Sequence, residues 1–452
     1  MSQIYDTVVV GAGMAGLVAA RDLSTRGRSV LLVEGRDRIG GRTFTDTALG
    51  GQLDLGGGYV HWTQPNVWTE MERHGLEQIN PPLESKTVYQ LADGKVHTTE
   101  QVRTFDLVGK LFADARERFP LPINVRAVEN GDINDQTLEQ RIDSLQLSKH
   151  DSDLVRGALG GLVHNYAMHG STQLLFAVAS NFGSYAAELE TASSWCITGG
   201  VKKLSDAIQA ESNAELQLST AITKVTDSGS GVTLLTSNCT EIQAKTAILA
   251  VPINTMRRIT ITPSLPPSVS KMLADGNPVR GSKLWVIVRG HVEPFSALAP
   301  AGQHPLNAVR VEKYWGDNTM ILCMISDSDS IKHDDHDAVQ KALRLFVPDL
   351  EVVDTAWYDW NEDEFSQGGW MMHRPRHFLE GAVKIREGHG RISFAGADIA
   401  AMAPCTIDGA MNSGAAAAVQ VEQFLNGPRH DLDPNPQVKT WSRTIRAPSS
   451  NL

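Results

Sequence analysis

The first 37 residues contain two short apolar runs with a glycine turn and a helical segment between them. "TVVV" at 7–10 and "VLLV" at 30–33 are unbroken apolar runs, and the residues that follow the glycine turn indicate a helix. Unbroken runs flanking a helical pattern are typical of buried parallel strands joined by a crossover helix. The pattern therefore predicts a strand–helix–strand unit at the start of the chain.

The turn after the first strand has the glycine spacing of a dinucleotide site. Gly11, Gly13 and Gly16 fit G-x-G-x-x-G, and Glu34 ends the second strand. The first glycine permits the tight turn, the second lets backbone approach a pyrophosphate, and the third allows close packing of helix on strand. The helix N-terminus offers N–H groups to the phosphates, and the acid suits ribose hydroxyls. NAD and FAD both use this unit, so the choice between them stays open here.

A third apolar run, "LWVIV" at 284–288, follows Lys283 and lies between Gly281 and Gly290. It predicts a buried strand. A lysine at a strand end usually extends its ammonium to water, so this stretch alone favours a surface position for Lys283. Segment 138–166 has helical apolar spacing interrupted by polar turns and predicts helices.

Composition argues against several classes of binding partner and of structural site. The 452 residues carry a formal net charge of −11, which argues against a nucleic-acid or acidic membrane surface as partner. The four cysteines, at 196, 239, 323 and 405, form no CxxC pair, which argues against a zinc site or disulfide framework. No stretch approaches the roughly 18–20 apolar residues of a membrane span, and no basic leader precedes the first strand. We expect a cytoplasmic protein of two or three domains.

The residues after Glu34 narrow the choice of cofactor. "GRDRIGGRTFT" at 35–45 places Arg36 and Arg42, both suited to pyrophosphate, around Gly41, and "DLGGGYVHW" follows at 54–62. With these motifs the sequence resembles the flavin-containing amine oxidase family. Further motifs occur in the family's order: "CITGGVKKLSDAI" at 196–208, "TAILAVPINTM" at 246–256 and "AGADIAAMAPCTIDGA" at 395–410. The resemblance covers about 5–426, and "VHWTQPNVW" at 60–68 is similar to the nicotine oxidoreductase, pseudooxynicotine amine oxidase and L-6-hydroxynicotine oxidase subgroup.

The resemblance implies an α/β fold with a Rossmann-like FAD-binding domain and a mixed-sheet plus helical substrate domain. The FAD-binding domain would comprise 1–85, 197–255 and 385–426. The substrate domain would comprise a helical insert at 86–196 and a strand-rich piece at 256–384. A Pro-rich and polar C-terminal tail, 427–452, lies beyond the resemblance.

The resemblance also implies the cofactor contacts. Beyond the motif residues already named, they would be Gly57, Gly58 and Tyr59 against the flavin ring, Val225 at the adenine, Trp360 near the flavin, Asp398 where relatives usually carry glutamate, and Ile407 at the flavin carbonyl edge. Relatives with covalent flavin attach it to a cysteine whose position is occupied here by Gly369. We therefore expect non-covalent FAD, and no metal.

At the substrate end the resemblance changes the interpretation of Lys283, which would hydrogen-bond a water beside flavin N5. Trp370 would form one wall of the substrate cage. Thr406 stands where many relatives have tyrosine, so it would offer a hydroxyl and space instead of an aromatic face. Two assignments stay open. His61 is either a base or a local hydrogen-bonding residue, and four further side chains either line the pocket or belong to the core: His164, Tyr166, Phe182 and Tyr185.

The implied reaction is oxidation of an amine to an imine, with hydride passing from the α-carbon to flavin N5 and water then hydrolysing the imine. O2, giving H2O2, or a protein would accept the electrons, and the substrate would be a hydrophobic alkyl, aryl or nicotine-like amine. We expect no nucleic-acid or membrane partner, and a homodimer is left open. Two alternatives remain: a flavin desaturase on the same scaffold, and a non-catalytic flavoprotein scaffold.

Overall fold

The computed structural model describes residues 3–79, 82–121, 124–163 and 165–427. Of the C-terminal tail only Gly427 lies within these ranges, and His164 lies outside them.

The described residues form the following strands: β1 Ile4–Val10, β2 Val30–Val33, β3 Thr45–Asp46, β4 Leu53–Asp54, β5 Tyr59–Val60, β6 Gln78–Ile79, β7 Thr87–Ala92, β8 Lys95–His97, β9 Trp195–Ile197, β10 Glu215–Gln217, β11 Ile222–Asp227, β12 Val232–Thr236, β13 Glu241–Leu249, β14 Thr260–Thr262, β15 Ser282–Arg289, β16 Phe295–Leu298, β17 Ala308–Trp315, β18 Asn318–Ile325, β19 Val352–Trp357 and β20 Ile392–Phe394. Their α-helices are α1 Met14–Ser24, α2 Pro65–His74, α3 Gln101–Leu111, α4 Ala115–Arg118, α5 Gly131–Asn134, α6 Leu138–Asp143, α7 Lys149–Leu159, α8 Thr172–Ser180, α9 Tyr185–Ser193, α10 Lys202–Glu211, α11 Ile253–Met256, α12 Pro267–Asp275, α13 His336–Leu343, α14 Gly381–Ile385 and α15 Ile407–Asn426.

The first large sheet is built on the predicted strand–helix–strand unit, which is confirmed as β1, α1 and β2. Its order is β10-β2-β1-β13-β12-β11-β14, with β1 parallel to both β2 and β13. The sheet branches at β13, whose first residues pair with β12 while its last three pair with β20. Helices α10 and α15 pack on α1. A Cβ on Gly414 would lie only 2.1 Å from the carbonyl oxygen of Ala15, so α1 and α15 meet at backbone contact.

The second large sheet has the order β19-β15-β18-β17-β16-β7-β8. It is mixed, because β16 runs parallel to β7 whereas its other neighbouring strands pair antiparallel. Two of its strands, β7 and β8, come from the segment expected to be a helical insert, so that expectation holds only for α3 to α9. The run "TVYQLA" is too short and too mixed in polarity to be identified as a strand on periodicity alone. The α/β architecture with a mixed second sheet is confirmed.

Strand β15 connects this sheet to the site. Seven of its eight residues are buried and only Arg289 is exposed. Lys283 is therefore the second residue of a buried strand and not a cation at an exposed strand end. Across the described ranges, no helix is both long and apolar enough to cross a bilayer.

Candidate active site

A mostly apolar cavity of about 650 Å³ extends from the β1–α1 turn to the second sheet and the helices α8 and α9. Fourteen of the seventeen predicted site residues line it: Gly11, Gly13, Glu34, Arg36, Gly41, Arg42, Gly57, Gly58, Tyr59, Lys283, Trp360, Trp370, Thr406 and Ile407. Gly16, Val225 and Asp398 are not among the lining residues. Gly11 and Ile407, near opposite ends of the described chain, are thus brought to one cavity.

The end of the cavity near β1 has the features of a phosphate and ribose site. Helix α1 begins after Gly13 with no side-chain cap and no acidic residue in its first turn, so its dipole is free to face an anion. The Glu34 carboxylate accepts the backbone N–H of Ala12 at 2.7 Å and that of Arg36 at 3.0 Å, which fixes it beside the turn. These donors and acceptors fit a dinucleotide.

The glycines of the turn allow close approach. Gly11 has a φ of +99°, in the region that favours glycine. A Cβ on Gly16 would lie 1.8 Å from the Gly11 carbonyl oxygen, so Gly16 serves helix–strand packing behind the turn and does not line the cavity.

Both predicted pyrophosphate arginines already have acidic partners. The Arg36 guanidinium pairs with Asp363 and donates to Ser366 Oγ at 2.6 Å. Arg42 donates to Asp398 Oδ1 at 2.7 Å and to the Gly369 carbonyl at 2.8 Å. The second oxygen of Asp398 accepts the N–H of Ile253 at 3.1 Å. The Asp398 carboxylate thus holds Arg42 and the start of α11 and is not part of the cavity lining, while its expected contact with the cofactor stays a prediction.

Val225, expected at the adenine, is not among the residues that line the cavity. Val225 is fully buried and packs in the core of the first sheet, while Ile222 and Thr223 at the start of the same strand line the cavity. A strand rises about 3.3 Å per residue, so three positions remove Val225 by about 10 Å.

Lys283 is buried, with 6% of its surface exposed. Its Nζ donates to the carbonyl oxygens of Asp54 at 2.9 Å and Gly56 at 3.2 Å, and it lies 4.8 Å from the ring centre of Tyr59. Burial lowers the pKa of the ammonium, opposed chiefly by the Asp54 carboxylate. The surface interpretation is thus wrong. Two of the three N–H donors of the ammonium are used by the carbonyls of segment 54–56, so one N–H remains to bond a group in the cavity.

Sequence reasoning missed the charges behind Tyr59. Its hydroxyl donates to Glu312 Oε1 at 2.7 Å, and Arg310 Nε donates to the same oxygen at 2.7 Å. The Arg310 guanidinium also lies 4.9 Å from the Tyr59 ring centre, so two cations flank this ring. The alternation "VRVE" at 309–312 places Arg310 and Glu312 on one face of a strand and was a usable signal.

Trp370 and Thr406 lie at the other end of the cavity. Trp370 Nε1 donates to the Leu162 carbonyl at 2.9 Å. The indole ring packs closely on Gly281, because a Cβ at that position would lie only 2.5 Å from the ring. The Thr406 hydroxyl accepts the N–H of Gly409 at 3.0 Å and donates to the Ala403 carbonyl at 2.7 Å. It therefore caps α15, and the hydroxyl expected to face substrate is already bonded to backbone.

Gln64, Gln173, Glu188 and Cys405 also line the cavity and were not predicted from the sequence. Polar residues inside helical or loop segments give no periodic signal of their own. Burial raises the pKa of the Cys405 thiol to about 12, so it stays protonated.

His164 lies outside the described residues, and the other four side chains whose roles were left open are not among the residues that line the cavity. Tyr166 and Tyr185 are buried in the helical core, and their hydroxyls donate to the carbonyls of Arg156 and Ala158. Phe182 is 83% exposed and lies outside the cavity lining. His61 Nδ1 bonds the Thr63 hydroxyl at 2.7 Å, the local role that was one of its two interpretations.

Comparison with known proteins finds similarity in sequence and in fold over most of the chain. A family model described as flavin containing amine oxidoreductase matches residues 14–422. Pseudooxynicotine dehydrogenase from Pseudomonas sp is 33% identical over 435 residues, covering 94% of this chain and 87% of that protein. (S)-6-hydroxynicotine oxidase from Paenarthrobacter nicotinovorans is 27% identical, covering 91% and 97%. Cyclohexylamine oxidase from Brevibacterium oxydans IH-35A has a similar fold, with a TM-score of 0.80 at 20% identity over 94% of this chain and 100% of that chain.

Proposed function

The chain belongs to the flavin containing amine oxidoreductase family, and from this premise we propose that it binds FAD non-covalently and oxidises a hydrophobic alkyl, aryl or nicotine-like amine. The observation that carries the proposal is the buried Lys283 ammonium, held by the carbonyls of Asp54 and Gly56 at the rim of the cavity.

The nucleotide part of FAD would be held by the N-terminus of α1, Glu34, Gly41 and Arg42. The flavin would lie against Gly57, Gly58, Tyr59, Trp360 and Ile407. Gly369 carries no side chain that could attach a flavin, which supports non-covalent binding. We propose accordingly that the first sheet with its helices is the FAD-binding domain, made of 1–85, 197–255 and 385–426, and that 86–196 and 256–384 form the substrate domain.

Bound flavin supplies a two-electron acceptor for the hydrogen on the carbon next to the amine nitrogen. Trp370 would orient that carbon by forming one wall of the cavity. The remaining N–H donor of Lys283 would hold a water at the reaction site. Thr406 would contribute indirectly, because its hydroxyl caps the start of α15 beside the cavity.

The reacting amine must be neutral, because its nitrogen lone pair stabilises the cation that develops. For an amine with a pKa of about 10, deprotonation at pH 7 costs roughly 4 kcal/mol. A largely apolar cavity lowers this cost, because desolvation disfavours the ammonium form.

The names of the relatives support an amine substrate but include both a dehydrogenase and an oxidase. We propose O2 as acceptor, with H2O2 as product, and a cytoplasmic location, the latter supported by four cysteines that form no pair.

The test is anaerobic reduction of the purified yellow protein with a panel of alkyl, aryl and heterocyclic amines, followed by admission of air. Amine-dependent bleaching, return of colour with stoichiometric H2O2, and FAD in the supernatant after acid precipitation are the expected results. Bleaching by no amine would favour the scaffold alternative, and bleaching only by compounds oxidised at a C–C bond would favour the desaturase.

A further inference from the structure

One wall of the cavity carries a carboxylate without a cation. Glu188, on α9, lines the cavity, and its Oε2 accepts a hydrogen bond from Asn181 Nδ2. Among the residues that the structure describes, no lysine, arginine or histidine forms an ion pair with it. Burial raises the pKa of Glu188, because the cavity wall desolvates the carboxylate while only one amide compensates it.

A second acceptor lies on the same wall. Gln64 is only 4% exposed and lines the cavity. Its Nε2 donates to the Thr191 carbonyl at 3.2 Å, whereas its Oε1 is buried and has no donor within the described part of the chain. A buried amide oxygen without a partner costs about 1–3 kcal/mol, so a ligand that donates to it is favoured.

The two acceptors are connected. Thr191 lies three residues after Glu188 on α9, and its hydroxyl donates to Asn181 Oδ1 at 3.2 Å. Asn181 in turn donates to Glu188. Residues three apart share a helix face, so these hydrogen bonds join Gln64 and Glu188, which both line the mainly apolar cavity, through Asn181 and Thr191, which do not line it.

The cations of the cavity are committed elsewhere. Arg36 pairs with Asp363, Arg42 pairs with Asp398, and Lys283 donates to two carbonyls. Arg258, the fourth cation of the lining, donates to the Glu364 carbonyl at 3.3 Å. The missing partner of Glu188 is therefore not supplied by these side chains. A ligand that brings both a positive charge and N–H donors would satisfy the carboxylate and the Gln64 oxygen together.

We infer that Glu188 and Gln64 form a distal subsite for a second, protonated nitrogen, so that the preferred substrates are amines with a second basic nitrogen. This inference rests on the proposed function and specifies its substrate class. One nitrogen reacts in its neutral form at the end of the cavity near Lys283 and Trp370, while the other stays an ammonium on the wall formed by α9.

The experiment compares n-alkylamines with α,ω-diamines of equal chain length, from butyl to octyl, as reductants of the holoenzyme. At the best length the diamine should exceed the monoamine in kcat/KM by about tenfold or more. A hydrogen bond to a charged group contributes about 1.5–3 kcal/mol, so Glu188→Gln should lower the diamine value by about 10- to 150-fold and leave the monoamine within about threefold. Gln64→Met should lower the diamine value less.

Glu190→Gln is the matched control, because it removes the same charge from the same helix at a side chain that is 59% exposed and outside the cavity lining. It should leave the diamine preference unchanged. A diamine-to-monoamine ratio near one in the wild-type protein, or a ratio that Glu188→Gln does not reduce, would overturn the inference.

A binding readout separates this inference from the proposed function. Hexylguanidinium stays protonated from pH 6 to 10 and offers no neutral amine nitrogen to oxidise, yet it carries the positive charge, N–H donors and an apolar chain. It should perturb the flavin absorption spectrum of the wild-type holoenzyme and not that of Glu188→Gln. If it binds in this way while no amine reduces the flavin, the proposed function fails and the subsite stands. If amines reduce the flavin but neither the spectrum nor the diamine preference depends on Glu188, the subsite fails alone.

Discussion

Replacing Lys283 by methionine tests the centre of the proposed site, because it removes the ammonium while keeping most of the chain length and the apolar stem. In the wild-type protein Nζ donates to the carbonyls of Asp54 and Gly56. The substitution removes both hydrogen bonds and also the remaining donor, which we propose to hold a water at the reaction site.

The structural loss is limited. The Asp54 carbonyl keeps a second donor, because Trp285 Nε1 lies 3.2 Å from it, whereas the variant loses the one hydrogen bond that Lys283 gives to Gly56. One unsatisfied carbonyl costs about 1–3 kcal/mol, partly offset by relief of the buried charge. For the reaction, one lost charge-assisted hydrogen bond of about 1.5–3 kcal/mol corresponds to a decrease of about 10- to 150-fold in the rate constant for flavin reduction.

The assay is anaerobic stopped-flow reduction of the bound flavin by one amine across pH 6 to 10, with flavin content and thermal midpoint measured on the same samples. The second-order rate constant for reduction of the wild-type flavin should rise with pH. Trp285→Phe is the matched control, because it removes a hydrogen bond to the same Asp54 carbonyl and leaves the ammonium; it should slow reduction by less than about threefold. Reduction of Lys283→Met at the wild-type rate, or equal slowing by both variants, would refute the reasoning.

Three further predictions concern the cavity wall, helix packing and pH. Trp370→Ala should lower kcat/KM by about tenfold or more with full flavin content, and unchanged kinetics would remove Trp370 from the wall. Gly414→Ala should reduce thermal stability and flavin content, because the new Cβ would meet the Ala15 carbonyl. The control Gly109→Ala, in open space on α3, should be neutral or stabilising by up to about 1 kcal/mol. Equal effects of the two substitutions would contradict the packing argument. Burial lowers the pKa of His373 from 6.5 to about 4, so the native state stays neutral while the unfolded chain takes up a proton below pH 6.5. Stability should therefore fall by about 3 kcal/mol between pH 6.5 and 4, and His373→Gln should lose that part of the pH dependence in thermal or urea denaturation.

The parts of the fold that the sequence predicted are those with strong local signals. The βαβ unit follows from two four-residue apolar runs and a glycine turn, and β15 follows from an unbroken apolar run. Strands such as Lys95–His97 are three residues long and gain their conformation from neighbours in the sheet, so periodicity could not identify them.

The sequence motifs predicted which segments surround the cavity, but not which way every side chain in those segments points. A motif gives the position of a residue along the chain, but contact depends on which face of the element it occupies and where the element ends. Val225 lies on a strand whose first residues line the cavity, but three positions beyond Ile222 it faces the core. Asp398 lies in a motif that reaches the cavity, yet its carboxylate points at Arg42 because an unpaired guanidinium nearby would be costly.

Lys283 shows why burial and partners have to be known before a charge can be interpreted. Desolvating an ammonium is unfavourable, so a buried lysine persists only where fixed acceptors replace its water. Those acceptors are the carbonyls of Asp54 and Gly56, which belong to the segment leading into Gly57 and Gly58, whereas Lys283 belongs to the second sheet. The same ammonium thus joins the proposed flavin-binding segment to the proposed substrate domain. Any substitution that shifts β15 should therefore move the flavin-facing backbone as well, and would change the flavin spectrum before it changes the overall fold.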